Sequence, residues 1–146
     1  MTNHFELGNL LITTPSEWKD ITDAVDVDSA PFTIAKDDGI GALQFSSAEY
    51  RSGDLPAFTL SDLCDMRDEF GANHGFSSAF DKHTSEGRTM TAGASYHADQ
   101  DFVRVWYCSN GTDIVLATYI SEWRHQGDEI RECNEIISKL KFRDAP

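Results

Sequence analysis

Two hydrophobic runs in the second half of the chain, residues 102–108 and 114–120, do most to limit its fold, because Ser109-Asn110-Gly111-Thr112 stands between them. Asn-Gly readily takes the positive φ angles of a tight turn, so the two runs are predicted to pair as an antiparallel hairpin. Side chains alternate along a strand, which sends Val103, Val105 and Tyr107 one way and Phe102, Trp106 and Cys108 the other. Both faces are apolar, so a sheet built on this hairpin must be covered on both sides.

The covers are legible. Thr59-Leu60-Ser61-Asp62 has the spacing of a helix cap, with Thr59 accepting from the chain ahead and Asp62 reaching back. Leu60, Leu63, Cys64, Met66 and Phe70 then recur at helical spacing, Gly71 is a reasonable stop, and Asp62, Asp65, Asp68 and Glu69 fall on the opposite side. A closing helix carries Ile130, Cys133, Ile136, Ile137 and Leu140 as its stripe. Asp128 and Glu129 stand at its start and Lys139 and Lys141 near its end, in the order that suits a helix dipole. Residues 9–13 read as a first strand closed by Pro15, with Trp18 beside the turn. Residues 32–36 and 41–47 read as a hairpin turned by Asp37-Asp38-Gly39, and residues 77–84 and 88–97 as two strands leading into the 102–108 run. The expectation is one α+β domain over residues 1–146: a twisted antiparallel sheet with flanking helices.

A chain of 146 residues with 40% hydrophobic residues is long enough for one real core. With 25 acidic and 12 basic side chains its formal charge is -13, which disfavours nucleic acid and anionic membranes as partners. The excess is uneven. Residues 1–69 hold 14 acids and 4 bases, a net of -10, and residues 70–146 hold 11 acids and 8 bases, a net of -3. The first residues show no basic segment followed by an apolar stretch, so a cytoplasmic address is expected. Cys64, Cys108 and Cys133 are odd in number and widely spaced, which favours free, buried thiols.

Sites of chemistry are sparse. The five histidines form no H-E-x-x-H and no pair four apart, and no C-x-x-C is present, so neither a metal nor a cofactor is expected. Asp81-Lys82-His83 and His97-Ala98-Asp99 would each place a carboxylate beside an imidazole on one face of a strand. That leaves a small-molecule-binding or hydrolytic site on His83, His97 and nearby Asp as an alternative. Cys108 with His97 is a weaker nucleophile pair. The acidic run Asp20, Asp23, Asp26, Asp28 fails as a calcium loop, since Pro31 stands where an EF-hand begun at Asp26 needs glycine. Trp18, Trp106 and Trp123 read as core or core-edge residues.

Residues 10–18 (L-L-I-T-T-P-S-E-W) resemble the strand-Pro-x-x-Trp opening of proteins with the PsbP-like fold, which includes the DcrB-like bacterial proteins. Residues 105–119 and 135–142 resemble that family's last hairpin and its closing helix with an Ile-x-x-Leu-x-Phe ending. The resemblance implies an α/β/α sandwich and carries no catalytic residue. Small acidic cytosolic proteins of this fold also resemble immunity proteins, which bind a secreted bacterial toxin and block its active site. The function implied is non-enzymatic neutralisation of a cognate protein toxin with a basic cleft. A non-toxic protein partner, bound by an adaptor, is the other reading. The acidic surface nominates Asp37 and Asp38 at the hairpin turn, Glu49, Tyr50 and Asp54 in the following loop, and Asp62, Asp65 and Glu69 on the first helix. Tyr50 is the aromatic anchor of that set.

Overall fold

The computed structural model describes residues 2–22, 31–37, 39–48, 58–125, 127 and 129–143. Asp38, Glu49, Tyr50, Asp54 and Asp128, with the loop acids Asp23, Asp26 and Asp28, lie outside the described residues.

Two antiparallel sheets form. The larger runs in the order β3 (Trp18–Asp20), β4 (Phe32–Lys36), β5 (Ala42–Ala48), β9 (Ile114–Glu122), β8 (Asp101–Ser109), β7 (Met90–Ala98), β6 (Phe80–Ser85). The smaller joins β1 (Thr2–Leu7), β2 (Leu10–Pro15) and β10 (Lys141–Phe142). Helix α1 (Leu60–His74) links β5 to β6, and α2 (Ile130–Ser138) links β9 to β10. The Asn-Gly turn does bring β8 and β9 together, in a register that sets Val103 opposite Ile120 and Cys108 opposite Val115. The hairpin of residues 32–36 with the following run also forms, setting Ile34 opposite Leu43. What joins these two units is the pairing of β5 with β9, which sets Phe45 against Ala117 across a long stretch of intervening chain.

The two faces of β8 meet different partners, as alternation requires. Val103 and Val105 pack with Ala94, Tyr96 and Phe70 under α1. Phe102, Trp106 and Cys108 belong to the main core with Trp18, Leu43, Tyr119 and the α2 residues Cys133, Ile136 and Ile137. The helices therefore cover opposite faces of one sheet.

Several boundaries differ from the sequence expectation. Strands β3 and β10 are additional, and α2 ends at Ser138, so Leu140 packs in the core from just beyond the helix, Lys141 belongs to β10, and no base stands in the last turn of α2. An additional strand, β1, precedes β2. Its burial alternates between exposed and half-buried, and Phe5 and Leu7 reach the core while Phe5 meets Phe32 at 5.6 Å. Such a half-wet edge strand carries too few apolar residues to announce itself. The strand expected from residue 77 begins at Phe80, after Ser77 has instead bonded to the backbone of His97. Gly71 does not stop α1. The helix runs on to His74 and is closed by Gly75 at φ 69°, a left-handed conformation open to glycine. Gly71 is buried inside the helix, where a Cβ would lie 2.3 Å from the Tyr96 ring. Its role is close approach, and the Tyr96 hydroxyl seals the contact by donating to the Arg67 carbonyl at 2.7 Å. The line of α1 turned fully inward is thus Leu63, Arg67 and Gly71, with Leu60, Cys64, Met66 and Phe70 half-buried around it.

Candidate functional site

The capping box places the acidic face. The Thr59 hydroxyl accepts from the Asp62 amide at 3.2 Å, and the Asp62 carboxylate accepts from the Thr59 amide at 2.9 Å. With the start of α1 fixed and its inner line packed on Tyr96, the rotation of the helix is fixed too. Asp62, Asp65, Asp68 and Glu69 are all exposed on the outer side. Asp68 is neutralised by Arg67 at 3.1 Å and Lys82 at 3.6 Å. Among the described residues, Asp65 and Glu69 have no cation at ion-pair distance. On the same side of the sheet, Ile120 of β9 keeps 45% of its surface exposed beyond the cover of α1. The site is an acidic ridge on a face of the sheet that also exposes Ile120.

Asp37 lies elsewhere. It follows β4, three strands from β8 and four from β7, where α1 packs, and bonds to Lys19 of the edge strand β3 at 2.6 Å. It belongs to the turn whose Ile40 and Gly41 amides bond to Glu129 at the start of α2. The structure therefore brings Asp62, Asp65 and Glu69 together and leaves Asp37 apart from them.

That turn is held by Glu129, a residue the sequence reading counted only as a dipole charge. Glu129 is 2% exposed, and its Oε1 accepts from the Gly41 amide at 2.9 Å, the Ile40 amide at 3.2 Å and the Tyr119 hydroxyl at 2.8 Å. Lys36 Nζ lies 3.2 Å from Oε2 as an ion pair without hydrogen-bond alignment, and reaches Glu132 at 2.7 Å. Burial pushes the Glu129 pKa up, but the Gly41 amide, the Tyr119 hydroxyl, Lys36 and the Ile40 amide outweigh it and hold the carboxyl below its ordinary value. Burial, together with donation to Glu129, raises the Tyr119 pKa.

The histidine alternative assumed regular strands, and both places are irregular. Asp81 has φ 49° within a register shift between Phe80 and His83, and Asp99 has φ 55° in the turn after β7. Neither carboxylate sits two residues along a regular strand from its imidazole. His83 lies in a cleft beside α2, whereas His97 stacks on Trp123 at 3.7 Å in a separate, open hollow with Asp99, Asp101 and Glu122. His97 also lies six residues along β7 from Thr91, the partner of Cys108, a separation of roughly 20 Å. The Cys108 thiol is buried and its pKa is pushed up to about 12 by that burial, which makes it a poor nucleophile. Among the described residues no group of three or more His, Cys, Asp or Glu is placed to hold a metal ion.

No protein-family pattern and no curated protein matches the chain by sequence. Solved structures do match in shape. The cyanobacterial PsbP protein CyanoP of Synechocystis sp. PCC 6803 aligns with a TM-score of 0.66 at 13% identity, covering 97% of this chain and 92% of that one. The Ran-binding protein Mog1p of Saccharomyces cerevisiae aligns with a TM-score of 0.61 at 11% identity, covering 99% and 96%. A Bacteroides thetaiotaomicron VPI-5482 protein aligns with a TM-score of 0.59 at 15% identity over 93% of this chain and 46% of its own. The architecture is thus the PsbP-like α+β fold that the opening strand, last hairpin and closing helix resemble.

Proposed function

We propose that this protein is a non-enzymatic binding domain that captures a basic protein through the outer face of α1, and that its partner is a secreted bacterial toxin whose active site it occludes. The observation that carries this reading is the unneutralised pair Asp65 and Glu69 on a helix whose rotation is fixed by its cap and by Gly71. Fixed charges of one sign steer an oppositely charged partner and disfavour wrong ones. On the same face of the sheet, Ile120 supplies exposed apolar area of the kind an interface buries. The Mog1p structure, a Ran-binding protein of the same fold, supports protein binding in general. The toxin is inferred from acidity and small size together with the resemblance to immunity proteins.

The test is capture of the partner from the native host, followed by kinetics with Asp65→Lys and Glu69→Lys. Asp62 is left intact because it closes the helix cap. Association should slow by roughly tenfold or more and lose part of its salt dependence. Unchanged kinetics would remove α1 from the interface. A captured partner that is not toxic would favour the adaptor reading.

A further inference from the structure

Arg104 sits in the middle of β8 and points to the α2 side of the sheet between Phe102 and Trp106, yet it is only 5% exposed. A buried guanidinium ordinarily has a carboxylate partner. This one has none among the described residues. Nη1 donates to the Asp81 carbonyl at 3.0 Å and to the Ser95 hydroxyl at 2.7 Å, and Nε is buried with no hydrogen-bond partner. Burial lowers its pKa, and the Asp81 charge opposes that shift without coming to ion-pair distance. Its remaining electrostatic support is the Trp106 ring, 5.4 Å away.

The guanidinium lines a cleft of about 390 Å³ between β6, β7, β8 and α2. The Trp106 indole lies over Gly93 on its β8 side, while Ile137 and Asn134 of α2 form the opposite wall. His83, Thr89 and Thr91 complete the polar rim, and no Asp or Glu contributes to the lining. Among the described lining residues Arg104 is the one formal charge, with Asp81 acting on it from outside the cleft. Both of the guanidinium's hydrogen bonds leave from Nη1 and Nε is shut off from solvent, so Nη2 is the donor left without a described partner. A charge-assisted bond from Nη2 suits an oxygen of a carboxylate. The volume is at the lower end of ligand cavities and suits a compact molecule.

We propose that this cleft is a binding site for a small organic carboxylate, its carboxylate on Arg104 Nη2 and its body along the Thr89, Asn134 and Ser138 side of the cleft. The site lies on the opposite face from α1 and is independent of the proposed protein partner.

Benzoate is the probe, benzamide its neutral counterpart and inorganic phosphate the tetrahedral control, each titrated into the full chain and followed by ¹H–¹⁵N spectra and calorimetry. Benzoate should bind saturably, shifting the Trp106 indole and Asn134 amide signals, and benzamide should bind at least roughly tenfold more weakly. Arg104 also ties β6 to β8, so Arg104→Gln is not a sufficient variant by itself. Asn134→Asp, on the exposed side of α2, adds a repelling charge at the wall with the core untouched. It should weaken benzoate by about tenfold or more at unchanged melting temperature. Four results would overturn the proposal: no saturable shift with benzoate, an equal response to benzamide, tighter binding of phosphate at the same signals, or unchanged benzoate affinity in folded Asn134→Asp.

Discussion

Replacing Glu129 by Ala tests how the two halves of the large sheet are locked to the closing helix. The carboxylate is the common acceptor for the Ile40 and Gly41 amides and the Tyr119 hydroxyl, and the counter-charge of Lys36. Its removal strands a fully buried hydroxyl and two amides of the β4–β5 turn, each costing about 1–3 kcal/mol when left unpaired. These costs are not additive, because the turn can relax toward water. The expected loss is the one seen when one partner of a buried charged network is removed, about 3–5 kcal/mol. For a domain of this length that is a fall of roughly 6–20 °C in melting temperature. Urea unfolding followed by tryptophan fluorescence gives the number directly. Glu129→Gln keeps an acceptor oxygen and should lose less. The pH dependence fixes the mechanism. Because the folded carboxyl is held below its ordinary value, its contribution is fully present above the unfolded pKa of about 4.3 and is lost as pH falls through the folded value. The gap between wild type and Glu129→Gln should therefore be constant from about pH 7 to 5 and close toward pH 3. A loss under about 1 kcal/mol for Glu129→Ala, or a gap insensitive to acid, would refute the argument.

Other outcomes follow from the same packing. Tyr119→Phe should cost about 1 kcal/mol, and in a double-mutant cycle with Glu129→Gln the pair should couple by roughly 0.5–3 kcal/mol. Gly71→Ala places a methyl 2.3 Å from the Tyr96 ring, so thermal unfolding should show a loss of about 1–3 kcal/mol despite alanine's higher helix propensity. Native-state thiol titration with a disulfide reagent should find Cys64 alone reactive, since Cys108 and Cys133 are buried, and all three should react in denaturant. Rapid modification of Cys108 in the folded protein would contradict the core assignment.

Local chemistry alone determined the elements whose signals are local. The Asn-Gly turn, the Thr59–Asp62 cap and the stripe of α1 depend on neighbours within a few residues, and each formed where its residues stand, as did the stripe of α2 up to Ile137. Gly71 was misread because a glycine that ends a helix and one that lets a helix touch a ring look alike in sequence. Only Tyr96, brought up by β7, distinguishes them. Strand β1 was missed for a related reason: its stability comes from pairing with β2 and from Phe5 on Phe32, and little of it from its own composition.

The candidate sites divide the same way. That Asp62, Asp65 and Glu69 share one helix face follows from helical periodicity. That Asp37 lies several strands from α1, and that His83 and His97 occupy separate clefts, depends on sheet order and on positive φ angles at Asp81 and Asp99. Arg104 was visible as a lone cation between two valines, on the face of the strand shared with Phe102 and Trp106. Sequence by itself determined the kinds of surface this protein can present, because charge and alternation are properties of the chain. Tertiary structure decided which charges stay unneutralised and which cation is buried without a partner, because neutralisation requires contact between residues far apart in sequence.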